Sequence, residues 1–289
     1  MIGRLIESRM AKVLPGPLMK AYHLLSNPRG AAHALSFLLK RDVPLPVRGR
    51  LSLLRRFYLI SARVECAHSQ QDILKISELV LSLPRSLEGC IVEAGAYKGG
   101  SAAKLSLVAG LAGRSLVVFD SFKGIPPNAE RRVVREAGLA FAIRFTEGAY
   151  RGTLEEARST VARYGDSGRC RFVEGWFEET MPGFKEPIAA IFLDVDLASS
   201  TRTCLERLYP RLADGGYLVS HDAHIPLVKE VFDDPGFWME RVGCPQPAME
   251  RAGHLLIIKK RAAPPSGAVP SQRETRNRKR ERGAQRRLV

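Results

Sequence analysis

No apolar run in this 289-residue chain reaches the roughly 18 residues that span a bilayer, so a soluble protein is expected. Residues 1–20 are basic, yet they lack the continuous apolar segment and small-residue cleavage site of a secretion signal. Cysteine is sparse: Cys66, Cys90, Cys170, Cys204 and Cys244 are odd in number, widely spaced and without a C-x-x-C pair. That pattern argues against a disulfide frame or a thiolate zinc site and points to reduced thiols in a cytoplasmic setting.

The middle of the chain lacks the charge of the whole. Formal net charge is +15, but residues 1–63 carry 12 Lys and Arg against Glu7 and Asp42, a net +10. Residues 261–289 carry nine against Glu274 and Glu281, a net +7, which leaves 64–260 at −2. A nucleic-acid enzyme more often carries a basic stripe across its active-site domain, so nucleic acid is not the expected substrate. Three units follow: a basic N-terminal helical extension or cap over 1–63, an α/β domain over 64–260, and a basic tail over 261–289 with too few apolar residues to fold. Pro15, Pro17, Pro44 and Pro46 cut the extension into short helices. Its basic residues alternate with Leu and Phe, which leaves room for a surface resting on anionic membrane.

The central domain is organised around residues 90–113. Ile91, Val92 and Ala94 read as a buried strand, 95–100 as a glycine-rich turn and 101–111 as a helix. Unpaired N–H groups at a helix start favour an anionic or polar ligand, and glycine admits it to the backbone. Asp120 ends a second apolar strand 25 positions after Gly95, where a carboxylate can hold both hydroxyls of a ribose. In Gly95-Ala-Tyr-Lys-Gly99-Gly100, Tyr97 replaces the second glycine of a dinucleotide fingerprint, which disfavours a pyrophosphate and hence NAD. Glu93 would repel a pyrophosphate but can pair with an ammonium group. These features favour S-adenosylmethionine, with Glu93, Gly95, Gly99, Gly100, Ser101, Asp120, Ser121, Gly175 and Trp176 as its candidate contacts.

Further along, residues 64–83 predict a helix with Ser69 as N-cap. Two more helical stretches are expected at 131–145, an insertion bearing Arg131, Arg132 and Arg135, and at 153–164. A third strand at 170–174 leads to Gly175-Trp176, where the indole can flank an adenine or fill core. The apolar strand 188–193 delivers Asp194, and a strand at 217–220 delivers His221, Asp222 and His224 to the same sheet edge. Asp194 and Asp222, ending neighbouring strands, offer hard oxygen ligands for Mg²⁺. The alternatives are that Asp194 caps the following helix, or that His221 and His224 are half of a zinc site with no further soft ligand. Residues 237–242 and 254–259 are expected to close the sheet as an antiparallel pair.

Five ordered segments carry a resemblance: Val92-Glu-Ala-Gly-Ala-Tyr-Lys-Gly-Gly-Ser101, Phe119-Asp-Ser-Phe-Lys-Gly-Ile-Pro126, Val173-Glu-Gly-Trp-Phe177, Leu193-Asp-Val-Asp-Leu197 with Ser200-Thr201, and Leu208-Tyr-Pro-Arg-Leu-Ala-Asp-Gly-Gly-Tyr217. From about residue 66 to 260 the chain resembles the macrocin O-methyltransferase family of class I S-adenosylmethionine-dependent enzymes. The resemblance implies a Rossmann-like fold, mostly parallel with helices on both faces and an antiparallel closing strand. It also implies methylation of a sugar hydroxyl on a natural product with a divalent metal. By that resemblance Glu93, Gly95 and Ser101 hold the methionine end, Asp120 the ribose, Trp176 the adenine side, and Asp194 is the first metal ligand.

The chain departs from the family in two places. His221 stands where the family has the first of two aspartates, giving a ligand set of Asp194, His221 and Asp222 and shifting preference from Mg²⁺ toward Mn²⁺, Fe²⁺ or Zn²⁺. The segment Asp194-Val-Asp-Leu-Ala-Ser-Ser200 also lacks the family's aromatic and glutamate, so the substrate side differs. The expected reaction is methyl transfer to oxygen, with Asp194, His221 and Asp222 as catalytic residues holding a cation on the acceptor hydroxyl. A neutral His221 or His224 as general base is the metal-free alternative. Competing classes are a nucleic-acid methyltransferase using the basic termini, disfavoured because no Asn-Pro-Pro-Tyr or Asp-Pro-Pro-Tyr segment occurs, and a non-catalytic cofactor-binding module. Expected partners are a small-molecule or sugar hydroxyl and, through the termini, a weak polyanion or peripheral membrane contact; a homo-oligomer is compatible with both.

Overall fold

The computed structural model describes residues 28–40, 43–136 and 139–261, so the expected basic start and nearly all of the expected tail lie outside the described residues. In chain order the elements are α1 (Pro28–Leu39), α2 (Val47–Arg63), α3 (Gln70–Leu81), β1 (Cys90–Ala94), α4 (Gly100–Ala112), β2 (Leu116–Asp120), β3 (Arg131–Glu136), β4 (Leu139–Arg144), α5 (Leu154–Tyr164), β5 (Cys170–Glu174), α6 (Phe177–Thr180), β6 (Ile188–Leu193), α7 (Ala198–Leu208), β7 (Leu212–Ser220), α8 (Pro226–Asp233), β8 (Glu250–Ala252) and β9 (Leu255–Lys259).

Seven strands form one sheet in the order β5-β2-β1-β6-β7-β9-β8. The first five run parallel, and β9 lies antiparallel to β7, as the closing-strand expectation required. Every residue of β1 and of β6 is buried, because helices cover both faces of a parallel sheet. Strand alternation divides the core in two. Ile91, Leu116 and Val118 face one apolar cluster with α3 and α4, while Val92, Ala94, Val117 and Phe119 face the other with α7 and α8. The order reverses between β1 and β6, and at such a switch point the strands' carboxyl ends leave a crevice.

Local chemistry sets the helix boundaries. The Ser69 hydroxyl accepts from the Asp72 N–H at 3.1 Å while Asp72 takes the Ser69 N–H at 3.3 Å, a reciprocal cap worth about 1 kcal/mol that starts α3. Buried Arg50 donates to the carbonyls of Leu38 at 2.8 Å and Leu45 at 2.8 Å, and to that of Lys40, tying the end of α1 to α2. These two helices form an outer layer, α1 on α3 and α2 on α4.

Two expected elements are corrected. Residues 131–145, read as a helix, form the hairpin β3–β4, a separate two-stranded sheet. β-branched Val133 and Val134 and the nearby Gly138 suit paired strands better than a helix. Residues 237–242, read as a strand, are helical: Asp234 accepts from the Phe237 N–H at 3.0 Å, Pro235 follows it, and a π-turn covers Trp238–Val242. Trp238 is fully buried and its indole N–H donates to the Phe232 carbonyl at 2.9 Å, which anchors that turn in the core. The partner of β9 is instead β8.

Candidate active site

The carboxyl ends of β2, β1, β6 and β7 line one cavity of about 1090 Å³, at the upper limit of the ~300–1,000 Å³ common for small-molecule sites. Gly95, Ala96, Gly100, Ser101, Asp120, Ser121, Gly175 and Trp176 stand on its wall together with Asp194, His221, Asp222 and His224. Both halves of the expected site therefore meet in one space. Gly99 and Glu93 lie behind the wall rather than on it.

At the β1 end, Gly95 adopts φ +87°, and a Cβ there would fall 2.0 Å from the Asp194 carbonyl oxygen, so only glycine fits. Gly100 is forced by packing, since its Cβ would meet Cys66 Sγ at 2.4 Å. Gly99, at φ +78°, caps α4 against Ala157. Asp120 is engaged: its Oδ2 accepts the N–H groups of Ala96 at 2.6 Å and Tyr97 at 3.1 Å, and its Oδ1 that of Phe122 at 2.7 Å. A carboxylate offers about four lone-pair sites, so one remains for a ribose hydroxyl. Ser121 Oγ accepts the Lys123 N–H at 3.1 Å, and the Lys123 ammonium lies 5.8 Å from the centre of the Trp176 ring.

Glu93 is fully buried and neither carboxylate oxygen has a hydrogen-bond partner. Burial pushes its carboxyl up to about 8, against the pull of the Ser101 hydroxyl and helped by Asp194 and Asp120. A buried carboxylate left without a partner is a place for a cation, and its position beside Gly95 and Ser101 fits the ammonium of an amino-acid end.

At the β6–β7 end, His221 Nδ1 lies 3.1 Å from Asp194 Oδ1 and 3.7 Å from Asp222 Oδ1, and one ligand atom from each of the three residues lies within 4.8 Å of the others. On the far side Nε2 lies 3.6 Å from Asp72 Oδ2. Burial opposes charge on His221, but Asp194, Asp222 and Asp72 outweigh it and raise the imidazolium to about 12. Asp222 has a second task, since its Oδ2 accepts the N–H groups of Val195 at 2.7 Å and Asp196 at 2.9 Å. Asp194 does not cap α7, the alternative raised above. Glu130 does, accepting from Ala198 at 2.7 Å and Ser199 at 2.9 Å.

The donor set fits a divalent ion. Two carboxylates and one imidazole nitrogen converge, and the Asp72 carboxylate stands 3.6 Å behind the ring, on the side where a metal-bound histidine is commonly supported.

Three residues of this site escaped the sequence reading. Asp72 was buried in a helix pattern as a cap residue. Lys104 is fully buried on α4 and, among the described residues, has no carboxylate within ion-pair distance. It donates to Ser61 Oγ at 2.6 Å and contacts His68 Nε2 at 2.9 Å and Cys66 Sγ at 3.9 Å. Burial lowers the Lys104 ammonium to about 8, and burial with the Lys104 charge holds His68 well below its ordinary value. An ammonium only donates, so His68 accepts at Nε2 and carries its proton on Nδ1, which makes no hydrogen bond among the described residues. The signal was available: Lys104 is the lone charge in the otherwise apolar and small-residue run of α4.

A family model described as macrocin-O-methyltransferase matches residues 73–235. A relative in Streptomyces olivaceus, named 8-demethyl-8-(2,3-dimethoxy-alpha-L-rhamnosyl)-tetracenomycin-C 4'-O-methyltransferase, is 33% identical over 196 residues, covering 65% of this chain and 72% of the relative. Demethyldecarbamoylnovobiocin O-methyltransferase of Streptomyces niveus is 30% identical over 155 residues, 52% of this chain and 58% of the relative. Among solved structures, the O-methyltransferase NovP superposes with a TM-score of 0.61 at 19% identity, over 74% of this chain and all of that one, which supports the fold.

Proposed function

The chain belongs to the macrocin O-methyltransferase family and is an S-adenosylmethionine-dependent O-methyltransferase, and on that premise we propose that it methylates a sugar hydroxyl of a larger glycosylated molecule. The carrying observation is that one cavity joins the Gly95–Asp120 turn to the Asp194–His221–Asp222 cluster, leaving room for cofactor and acceptor side by side. The relatives named for rhamnosyl and novobiocin-type acceptors support the substrate class.

In this reading Glu93 takes the cofactor's ammonium, and Ser101 with the Nδ1–H of His68 takes its carboxylate, Lys104 fixing the histidine tautomer from behind. Asp120 holds a ribose hydroxyl with its remaining lone pair while it pins the turn. Trp176 borders the adenine, with Ser121, Gly100 and Gly175 shaping the walls and Gly99 starting α4 behind them. The cofactor, when bound, supplies an electrophilic methyl on a sulfonium. Asp194, His221 and Asp222 would hold a divalent ion, whose chemistry there is to lower the pKa of an acceptor hydroxyl. Asp72 keeps His221 aimed at that point, and Asp194 orients the hydroxyl and accepts its proton. The three carboxylates around His221 keep its ring protonated when no ion is bound, so the neutral His221 base raised above does not hold.

Titration calorimetry of S-adenosylhomocysteine and NADH tests the cofactor half. Micromolar binding of the former alone, lost in Glu93→Ala, is expected. Transfer of labelled methyl to rhamnosides but not to RNA tests the acceptor half. Transfer to RNA instead would overturn it.

A further inference from the structure

The outward face of α1 and α2 takes no part in the cavity. Of the nine exposed large hydrophobic side chains among the described residues, five lie here: Leu35, Leu39, Val47, Leu51 and Leu59. That concentration is not the scatter expected of an ordinary surface. Val47, Leu51, Arg55 and Leu59 recur every four residues and form one stripe along α2, while Leu53, Leu54, Phe57 and Ile60 bury its other side. Arg48, Arg55 and Arg63 are exposed along the stripe, and among the described residues they make no hydrogen bond or ion pair. Between residues 28 and 63 the sole acidic residue is Asp42.

A row of apolar side chains edged by free guanidiniums, with no carboxylate among them, complements a layer of anionic headgroups over acyl chains. We infer that this face docks the protein on an anionic lipid surface, the leucines entering the headgroup boundary and Arg48, Arg55 and Arg63 meeting phosphates. A second copy of the chain on the same face would set guanidinium against guanidinium. An RNA would pair with the arginines and leave five apolar side chains in water. The arrangement also has a consequence for the cavity, because α2 runs through Val64 into residues 65–68, which form part of its wall.

The test is co-sedimentation of the full chain with phosphatidylcholine vesicles made with and without phosphatidylglycerol. Binding is expected with the anionic lipid alone, weakened by salt. It falls at least about tenfold both in Leu51→Glu/Leu59→Glu and in Arg48→Glu/Arg55→Glu/Arg63→Glu. Unchanged S-adenosylhomocysteine affinity shows that each variant is folded. The inference is overturned by absence of vesicle binding, or by binding that both variants keep, which would place it on the segments outside this face. It is equally overturned if Leu51→Glu/Leu59→Glu dissociates a dimer in velocity sedimentation without any lipid effect, or if single-stranded RNA displaces the vesicles.

Discussion

The two ends of the cavity are built alike. At one, Asp120 from the end of β2 clamps the turn after β1 through Ala96 and Tyr97; at the other, Asp222 from the end of β7 clamps the turn after β6 through Val195 and Asp196. Each turn contains a non-glycine residue at positive φ, Tyr97 at 51° and Asp196 at 59°. Such strain is kept only where neighbouring groups hold it, and here a carboxylate from the adjoining strand does so. The ends differ in what the second oxygen does. That of Asp120 is taken by the Phe122 N–H, whereas that of Asp222 faces His221 and Asp194. One clamp is thus nearly saturated by backbone, and the other keeps an oxygen for chemistry. An acidic strand end in this fold holds a turn first and binds a ligand second.

Of the substitutions, Asp120→Ala should give the largest loss. It strands three N–H groups, and at ~1–3 kcal/mol for each donor left without partner, less than additive, a loss of about 3 kcal/mol is expected in urea denaturation, with loss of S-adenosylhomocysteine binding. Asp222→Ala strands two and should cost about 2 kcal/mol, keep the nucleoside ligand, and lose Mn²⁺ binding read by electron paramagnetic resonance. Equal stability of the Asp222 variant and the wild type would break the comparison.

Glu93 sharpens it, because this end holds a buried carboxyl without a partner where the other holds three carboxylates around one imidazole. The Glu93 carboxyl titrates near 8 in the folded protein against 4.5 ordinarily, so the folded state binds more protons between those values. Its contribution is complete below 4.5 and fades as pH rises toward 8. The cofactor-free protein should therefore lose several kcal/mol of stability across that window, up to about 5 kcal/mol at ~1.36 kcal/mol per unit, and Glu93→Gln should flatten the profile. A profile unchanged by the substitution would mean that the carboxyl has a partner.

Lys104→Met should weaken S-adenosylhomocysteine about tenfold, or ~1.4 kcal/mol, yet leave 5′-methylthioadenosine, which lacks the amino-acid end, unaffected. Equal losses for both ligands would make the Lys104–His68 pair a packing element.

The strands at both ends were legible in the sequence because parallel strands covered on both faces read as plain apolar runs, as in Ile188–Leu193. Their terminal carboxylates were legible too, since Asp120, Asp194 and Asp222 each break such a run. Their clamping role was not, because it depends on which strand lies alongside. Ala96 and Asp120 come together through the β1–β2 register and nothing local announces it. The β3–β4 hairpin was misread for a related reason, as residues 131–145 satisfy no single period and cross-strand pairing decides them. The turn at 235–242 carried a usable sign in Asp234-Pro235, outweighed by the strand preference of Trp238 and Val242.

The smallest predicted effect concerns the connection that the β1 end lacks. Glu130, just before the hairpin, supplies the cap that α7 does not have from its own residues, since Leu197 occupies the N-cap position. Glu130→Ala should cost about 1 kcal/mol, the usual value of a lost cap at a dipole-positive helix start. Because α7 begins two residues after Asp196, the loosening falls on the acceptor end: S-adenosylhomocysteine affinity should stay constant while acceptor KM rises several-fold. Glu130→Gln, which keeps one acceptor oxygen, should recover part of both. If cofactor affinity fell in parallel with the acceptor, the two clamped turns would be mechanically one unit, and their likeness would reflect a shared body instead of the same local solution used twice.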